Sequence, residues 1–479
     1  MDPGPPQTPD AENPGNAGAC EGPFLRRRRT WLVAGAFGLM TAVCVWLPVD
    51  AMAAEGLDPA KIRIGLGVFL GVAFLWLTEA LPLAVTALLV PVLATLLRVS
   101  DLKTALVSFA DPLIFIFLGG FALAAALSRQ GLDRWIARSL VRLGKGRFLT
   151  VACGLFAATA FISMWISNTA TTAMMLPLAL GLLASAGDSP AKSRNTVFLL
   201  LGLAYASSIG GLGTLIGSPP NGIAARQLGV SFAEWMTFGI PTVLVLLPAM
   251  VGLLYWHCRP ERKVALVMAS EDFAMTAPRW TTLGIFAATA ACWIGGMWLG
   301  PVLGVTGSFD TLVALVAIVA LLFAGVVRWR DIDRSTEWGV LLLFGGGLAL
   351  SAVLSSTGAS LFLARLLGEQ IGGWPPLMIV AAVVAFVISL TELTSNTACA
   401  ALFVPIFHAL AGELGMEAAQ LVTPLALAAS CAFMLPVATP PNAIVFGSGK
   451  VPQRAMVRAG VLLNLVFVGL LTLLSRLLF

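Results

Sequence analysis

The segment MWISNTATTAMMLP, residues 164–177, is the most informative part of the chain, because its SNT tripeptide (residues 167–169) lies in sequence apolar enough for a membrane interior. The same tripeptide recurs at residues 395–397, and in both copies a proline follows ten residues after the serine. Each copy is followed by a Pro-Pro-Asn, at residues 219–221 and 440–442. Because polar groups are costly in hydrocarbon, this duplication predicts two halves built to one plan that together form a solute site.

The composition excludes a soluble domain. The 479 residues are 58% hydrophobic and only 11% charged, and the mean hydropathy is +0.92, so too few polar groups exist to cover a soluble surface. Backbone polar groups in a bilayer must be paired within the chain. We therefore predict an all-α polytopic membrane protein.

The basic residues are distributed unevenly between alternate loops. Seven of the 29 Lys and Arg residues fall on one side of the predicted spans and the other 22 on the opposite side. The minority set is Lys61, Arg63, Arg98, Lys103, Arg226, Arg365 and Arg476. The positive-inside rule places the larger set, and with it the N-terminus, in the cytoplasm. The basic stretches are thus topology signals, and no nucleic-acid partner is expected.

Enzyme chemistry has no support in the sequence. The seven cysteines are scattered without a CxxC pair, and His257 and His408 are too few and too isolated for a metal cluster. The chain has no G-x-S-x-G, H-E-x-x-H or Walker-type motif. We therefore expect neither an enzyme nor an ATP-driven pump.

The chain divides into five predicted segments. Residues 1–25 are rich in Pro, Gly and acidic residues and predict a disordered cytoplasmic tail. The apolar run that follows is too long for a signal peptide, which favours a retained first span. The remaining segments are the first transmembrane helix and loop at 26–60, a first repeat at 61–258, an inter-repeat loop at 259–279 and a second repeat at 280–479.

Each predicted repeat contains a hairpin and a broken helix. The apolar segment 148–187 has basic residues at both ends, which predicts a re-entrant helical hairpin with the SNT at its tip. Glycines and prolines interrupt the helix predicted at 195–228. The second hairpin is expected at 375–411 and the second broken helix at 420–449. With a continuous span at 338–366 among the others, about 11 transmembrane helices and two re-entrant hairpins are predicted.

The repeats are expected to be inverted. The sequence GGFAL at 119–123 matches GGLAL at 346–350, at an offset of 227 residues, and the offset is 228 at the tripeptides and 221 at the Pro-Pro pairs. Five spans in each repeat is an odd number, so the second copy must be inserted upside down. Inverted repeats with interrupted helices in matching places are typical of secondary transporters with a site at the membrane midplane.

The interrupted helices predict a chemistry for that site. The half-helix that begins after each SNT directs unpaired N–H groups at the cavity, which favours an anion. The carbonyls of Gly217 and Ala438 precede the Pro-Pro breaks and lack intrahelical partners, so with nearby hydroxyls they could hold a small cation. Glu392 lies three residues before the second tripeptide, and we favour an orienting hydrogen bond over a proton-carrier role for it.

These motifs resemble the divalent anion/sodium symporter family. The runs SNTATTAMMLP, GLGTLIGSPPN, TELTSNTA and CAFMLPVATPPNAIVFGSG are similar to its bacterial INDY-type Na⁺/dicarboxylate members, and the resemblance extends from about residue 60 onward. It implies a homodimer in the inner (plasma) membrane, with a scaffold domain and a transport domain that moves like an elevator. It also implies uptake of C4-dicarboxylates such as succinate, malate and fumarate with several Na⁺.

The resemblance further implies which residues bind the ions and the substrate. The first Na⁺ site would comprise Ser163, Ser167, Asn168 and the Gly217 carbonyl. The second would comprise Thr391, Asn396 and the carbonyls of Thr394 and Ala438. The substrate carboxylates would contact Asn168, Thr169, Ser218, Asn396, Thr397 and Thr439.

Other functions within the same fold remain open. A Na⁺-independent dicarboxylate exchanger, or a symporter of sulfate, a tricarboxylate or another oxyanion, would share the paired SNT motifs. Complete oxygen cages at both sites favour sodium, whereas an Arg or Lys in a cation position would favour exchange, and the sequence shows none there. An intramembrane enzyme would need a nucleophile with a base or a metal cluster near the midplane, and none is evident.

Overall fold

The structure is a computed structural model that describes residues 23–49, 58–142, 147–185, 192–261, 273–305 and 307–478. Helices take up 81% of these residues, and none of them forms a β-strand. The prediction of an all-α, membrane-type protein is therefore confirmed. The tail predicted at 1–25 lies almost wholly outside the described residues.

Helix α1, Pro23–Trp46, precedes the first repeat, which contains ten described α-helices. They are α2 Pro59–Thr78, α3 Leu83–Leu96, α4 Leu102–Val107, α5 Pro112–Arg129, α6 Leu132–Arg142, α7 Phe148–Ser163, α8 Asn168–Ser185, α9 Lys192–Gly210, α10 Pro219–Leu228 and α11 Phe232–Cys258. Side chains fix several of the starts. Asp111 accepts the Leu113 N–H at the start of α5, and Ser231 with Glu234 forms a capping box at α11.

The second repeat follows the same order. Its described helices are α12 Ala277–Ile294, α13 Gly296–Val302, α14 Phe309–Phe323, α15 Trp329–Ser335, α16 Trp338–Ser356, α17 Ala359–Ile371, α18 Pro376–Thr391, α19 Asn396–Glu413, α20 Ala418–Ala429, α21 Pro440–Gly447 and α22 Gln453–Leu478. Helices α12 and α13 together correspond to α2, and each later helix corresponds to one of the first repeat. The helix breaks at 164–167, 211–218, 392–395 and 430–439 coincide with the SNT and Pro-Pro-Asn motifs.

Helices of one repeat pack against helices of the other, and these contacts occur in symmetry-related pairs. Helix α3 packs against α16, and its counterpart α14 packs against α5, the counterpart of α16. Helix α10 packs against α19 and α20, while α21 packs against α8 and α9. Each Pro-Pro-Asn helix therefore rests on the hairpin of the other repeat. This reciprocity means that the two repeats form one core rather than two separate domains.

Helix length and composition identify some of the predicted spans. Six described helices are long and apolar enough to cross a membrane, or up to eight if the bent pairs α12–α13 and α17–α18 each count as one span. Further apolar helices, α3, α7, α8, α14 and α20 among them, are shorter than a full crossing requires. The total of about 11 therefore stays a prediction. The continuous span predicted at 338–366 is wrong, because α16 ends at Ser356 and Gly358 adopts a φ of +75° before α17.

The GG motifs are explained by close approach of helix backbones. A Cβ at Gly119 would lie 2.6 Å from the Ala314 Cβ, and one at Gly346 would overlap the Cα and Cβ of Ala87. These are the α5–α14 and α3–α16 contacts that the repeats exchange. Small residues are favoured where membrane helices pack this closely.

Replacement of Gly346 by alanine should lower stability. The added methyl group would collide with the α3 backbone, and overpacking of this kind costs about 1–3 kcal/mol. Gly181→Ala in α8 is the matched control, since no atom lies within 4 Å of its added Cβ, and alanine there should stabilise by about 0.5–1 kcal/mol. Thermal unfolding of the purified protein in detergent measures both. A Gly346→Ala protein that melts at or above the control would contradict the close approach.

Candidate functional site

One cavity of about 860 Å³ is lined by both SNT tripeptides. The first repeat contributes Ser167, Asn168, Thr169, Ile216, Gly217, Ser218 and Pro219, and the second contributes Leu393, Thr394, Ser395, Asn396, Thr397, Ala438, Thr439 and Pro440. Both Pro-Pro-Asn breaks therefore reach the same space as both hairpin tips. Phe117, Phe121 and Leu343 supply apolar wall from α5 and α16.

The first tip is held by hydrogen bonds among neutral oxygens. The Ser163 hydroxyl, at the end of α7, donates to the Asn168 Oδ1 at 2.6 Å. Ser207 of α9 lies 3.2 Å from the Ser163 Oγ and donates to the Asn168 carbonyl at 2.8 Å. The oxygen of the Asn168 side chain is thereby directed back toward the end of α7, within a cluster of oxygen atoms.

The second tip repeats this arrangement with a threonine. The Thr391 hydroxyl lies 2.6 Å from the Asn396 Oδ1 and 2.8 Å from the Ala429 carbonyl, where α20 ends. Ser395 is the N-cap of α19 and accepts the N–H of Ala398. The matching distances show that both tips have the same local geometry, at the offset of 228 residues that the sequence indicated.

The asparagines of the Pro-Pro-Asn motifs hold the two helix breaks. The Asn221 Nδ2 donates to the carbonyls of Gly211 and Thr214 at 2.8 and 2.7 Å. The Asn442 Nδ2 donates to Ala432 and Leu435 at 3.1 and 3.0 Å. The sequence motifs include both asparagines but do not indicate a role for them. Their duplication was the available signal, and the structure shows that they bind the carbonyls that each break leaves unpaired.

The first break packs directly on the first tip. A Cβ at Gly211 would overlap the Asn168 Oδ1 and lie 2.9 Å from the Gly217 carbonyl oxygen. A Cβ at Gly217 would lie 3.0 Å from the Ser163 carbonyl oxygen. Residues 163, 168 and 217 therefore meet at one point. Their hydroxyl, amide and carbonyl oxygens are hard, uncharged ligands that fit a small alkali cation.

The structure places the predicted site residues in two layers. Ten of them line the cavity: Ser167, Asn168, Thr169, Gly217, Ser218, Thr394, Asn396, Thr397, Ala438 and Thr439. Ser163 and Thr391 are fully buried behind it, each bonded to the asparagine of its tip. The Ser218 hydroxyl lies 2.8 Å from that of Ser430, and the Thr439 hydroxyl caps α21 by accepting the Asn442 N–H.

The charge of the cavity wall is unusual for a site that would hold an anion. Among the residues that the structure describes in this wall, none is Arg, Lys or His, and the charged members are Glu79 and Glu337. The helix starts at Asn168 and Asn396 supply partial positive charge. An anion in this cavity would meet these helix starts and no basic side chain of the described wall.

Glu392 distinguishes the second repeat from the first. Its buried carboxylate accepts the N–H groups of Phe433, Met434 and Leu435 at 2.7–3.1 Å and the Asn464 Nδ2 at 2.7 Å. Tyr205 donates to the Phe433 carbonyl at 2.8 Å. Met164 stands at the equivalent position of the first repeat. These contacts tie the tip to the break at 430–439, which is the geometry of an orienting hydrogen bond.

Two interrupted helices from each repeat that meet in one cavity are typical of membrane transporters. A family model described as citrate transporter (CitMHS) matches residues 73–422, and the chain belongs to this family. The predicted likeness to the divalent anion/sodium symporters is confirmed. The family and the relatives are transporters rather than enzymes, as the sequence predicts.

The relatives cover nearly the whole chain. The chain is 50% identical over 416 residues to an uncharacterized transporter of Haemophilus influenzae, covering 85% of this chain and 90% of that protein. It is 35% identical over 482 residues to the sodium-dependent dicarboxylate transporter SdcS of Staphylococcus aureus, covering 93% and 90%. The YdaH transporter of Alcanivorax borkumensis shares the fold, with a TM-score of 0.59 at 16% identity over 94% of this chain and 98% of that one.

Glu392→Gln should destabilise the protein while the exposed Glu369→Gln should not. Glutamine turns one acceptor oxygen into an N–H₂ that faces other N–H groups, and an unpaired buried donor costs about 1–3 kcal/mol. Thermal unfolding in detergent is the measurement. Equal melting temperatures for the two variants would show that the carboxylate does not hold the break.

Proposed function

We propose that the protein is a Na⁺-coupled symporter of C4-dicarboxylates such as succinate, malate and fumarate. It would act as a homodimer in the cytoplasmic membrane, with its N-terminus in the cytoplasm, and carry substrate inward by an elevator motion of a transport domain against a scaffold. The observation that carries the proposal is the single cavity that both SNT tips line with neutral donors. The relative SdcS, described as a sodium-dependent dicarboxylate transporter, supports it.

A dicarboxylate suits a cavity with two equivalent ends. In this proposal each carboxylate contacts one tip and the break of one repeat. The donors are the side chains of Asn168, Thr169 and Ser218 in the first repeat and of Asn396, Thr397 and Thr439 in the second. The short carbon chain of the substrate would lie between these two polar ends. The apolar wall excludes water around the carbon chain.

Sodium provides the charge that the cavity wall lacks. The first ion would bind Ser163, Ser167, Asn168 and the Gly217 carbonyl, and the second Thr391, Asn396 and the carbonyls of Thr394 and Ala438. Two sodium ions neutralise a dianion, so without them the site is electrostatically poor. Each charge that enters along a membrane potential contributes about 2.3 kcal/mol per 100 mV. Additional sodium ions would therefore make uptake respond to the potential.

A tricarboxylate is the second candidate substrate, because the matching family model is described as citrate transporter. Citrate brings a third carboxylate, and Glu79 and Glu337 in the cavity wall would repel it unless more cations entered. Succinate and citrate can be compared directly as competitors of labelled succinate. A lower inhibition constant for citrate than for succinate would favour the tricarboxylate function. Sulfate transport and Na⁺-independent exchange are tested in the same assay.

Asn168→Ala and Asn396→Ala should each abolish Na⁺-dependent succinate uptake. Each change removes one oxygen ligand of a proposed sodium site and the side-chain N–H₂ group that would donate to the substrate. Because two interactions are lost, the uptake rate should fall at least about 100-fold. Ser389→Ala on the exposed face of α18 is the control, since its hydroxyl bonds only within its own helix. Uptake into proteoliposomes is the readout, after size-exclusion chromatography has shown folded protein. Normal uptake by both asparagine variants would refute the site assignment.

A further inference from the structure

Two corresponding carboxylates have different surroundings in the two repeats. Asp111 is the N-cap residue of α5, and Glu337 is the N-cap residue of its counterpart α16, within one residue of the offset of 227. The Asp111 Oδ2 accepts from the Arg226 Nε at 2.6 Å, and Asp111 is 9% exposed. Glu337 instead lines the main cavity, and among the described residues its carboxylate forms no ion pair.

The two carboxylates lie toward opposite ends of the molecule. The C-terminal end of α5 is joined to the segment that leads into α16, because Arg129 pairs with Asp331 and the Gln130 Nε2 donates to the Val326 carbonyl at 2.8 Å. Helices α5 and α16 therefore run in opposite directions. The N-terminal end of α5 is joined to α10 by the Asp111–Arg226 pair, whereas the N-terminal end of α16 faces the main cavity.

A second pair of equivalent positions shows the same difference. The indole N–H of Trp293 donates to the Asp310 carbonyl at 2.9 Å, and that of Trp76 donates to the Leu83 carbonyl at 3.2 Å. The Asp310 side chain also accepts the Phe232 N–H at 2.8 Å, which attaches the start of α11 to α14. Leu83 lines the open cavity instead. One end of the molecule thus has two contacts between helices that the described residues at the other end do not repeat. A second cavity of about 540 Å³ lies beside these contacts and is lined by Asp111, Arg226 and Asp310.

Each carboxylate has a basic residue in a corresponding segment. Arg226 lies in α10, the Pro-Pro-Asn helix of the first repeat, shortly before α11. Lys450 follows α21, the Pro-Pro-Asn helix of the second repeat, shortly before α22. The Lys450 side chain is exposed and forms no ion pair with the described part of the chain. At the offset of 221 residues Gly447 is the counterpart of Arg226, and Lys450 lies three residues beyond it, in the segment that joins α21 to α22.

We propose that Asp111–Arg226 and Glu337–Lys450 are alternative ion pairs of one transport cycle. The first pair forms while the cavity is open beside Glu337, as in this structure. The second forms when the Pro-Pro-Asn helices have moved so that the cavity opens at the other end, beside Asp111. By the positive-inside rule the present opening, on the side of the abundant basic residues, is cytoplasmic. The inference rests on the proposed function, because only a protein with alternating access needs both pairs.

Charge exchange tests the unseen pair. Glu337→Lys and Lys450→Glu should each lower succinate uptake at least about tenfold, because like charges then face each other in the second state. The double variant Glu337→Lys/Lys450→Glu should recover uptake to within about threefold of the original protein, since the pair is restored with its signs exchanged. The matched control is Glu337→Lys/Arg454→Glu, which uses the next basic residue along the chain. Equal recovery in the control, or no recovery in either double variant, would overturn the proposal.

A labelling experiment tests the same proposal without substrate. Val437→Cys places a thiol on an 83% exposed position of the cavity wall, and a membrane-impermeant maleimide reports from which side it is reached. The parent chain without this change gives the background from the seven native cysteines. Asp111→Asn should lower labelling from the cytoplasmic side and raise it from the other side, by about threefold or more, and Glu337→Gln should not. Identical labelling in both variants would overturn the proposal.

The two proposals fail in distinguishable ways. Thermal stabilisation of the purified protein by succinate with Na⁺ reports binding without translocation. Suppose that succinate with Na⁺ stabilises the protein but Lys450→Glu does not specifically restore uptake to Glu337→Lys. That result would refute the ion-pair inference and leave the proposed function standing. No stabilisation by any carboxylate, together with the expected labelling shift, would refute the substrate assignment and support the ion pairs.

Discussion

Backbone groups released by a broken helix must find partners within the protein, because hydrocarbon supplies none. This constraint governs the centre of the molecule. The amides of Asn221 and Asn442 each bind two carbonyls of a break, and Ser163 and Thr391 bind the asparagine of each tip. With these groups satisfied, other oxygens at the tips and breaks can face the cavity. The stability of the interruption and its capacity to bind a solute thus have the same origin.

The two repeats form similar halves of the site, and Glu392 makes the two halves different. The hydrogen bonds at the two tips have equal lengths, so the two ends of the cavity offer a substrate similar oxygens and amides. Glu392 breaks the symmetry, because its carboxylate is bonded to three consecutive N–H groups of the second break while the first repeat has Met164. The second proposed cation site therefore has a buried carboxyl group behind it that the first lacks.

Much of the architecture could be predicted from the sequence because the SNT and Pro-Pro-Asn motifs each occur twice. The recurrence of SNT and Pro-Pro-Asn located all four helix breaks and brought the residues of both tips into one hypothesis. The partners of Asn442 and Glu392 could not be predicted, since each depends on contacts 7–72 residues distant along the chain. The end of α16 at Ser356 was also missed. The apolar pattern continues through it, and the positive φ of Gly358 decides the boundary.

In the proposed function a doubly negative solute is held between the two tips only when sodium ions occupy the adjacent oxygens. Succinate uptake by the purified protein in liposomes, measured with an inward gradient of Na⁺ and then with the same gradient of K⁺, tests it most directly. Rapid uptake with Na⁺ and none above protein-free liposomes with K⁺ is the expected result. Equal uptake with both ions would show that succinate binding does not depend on sodium.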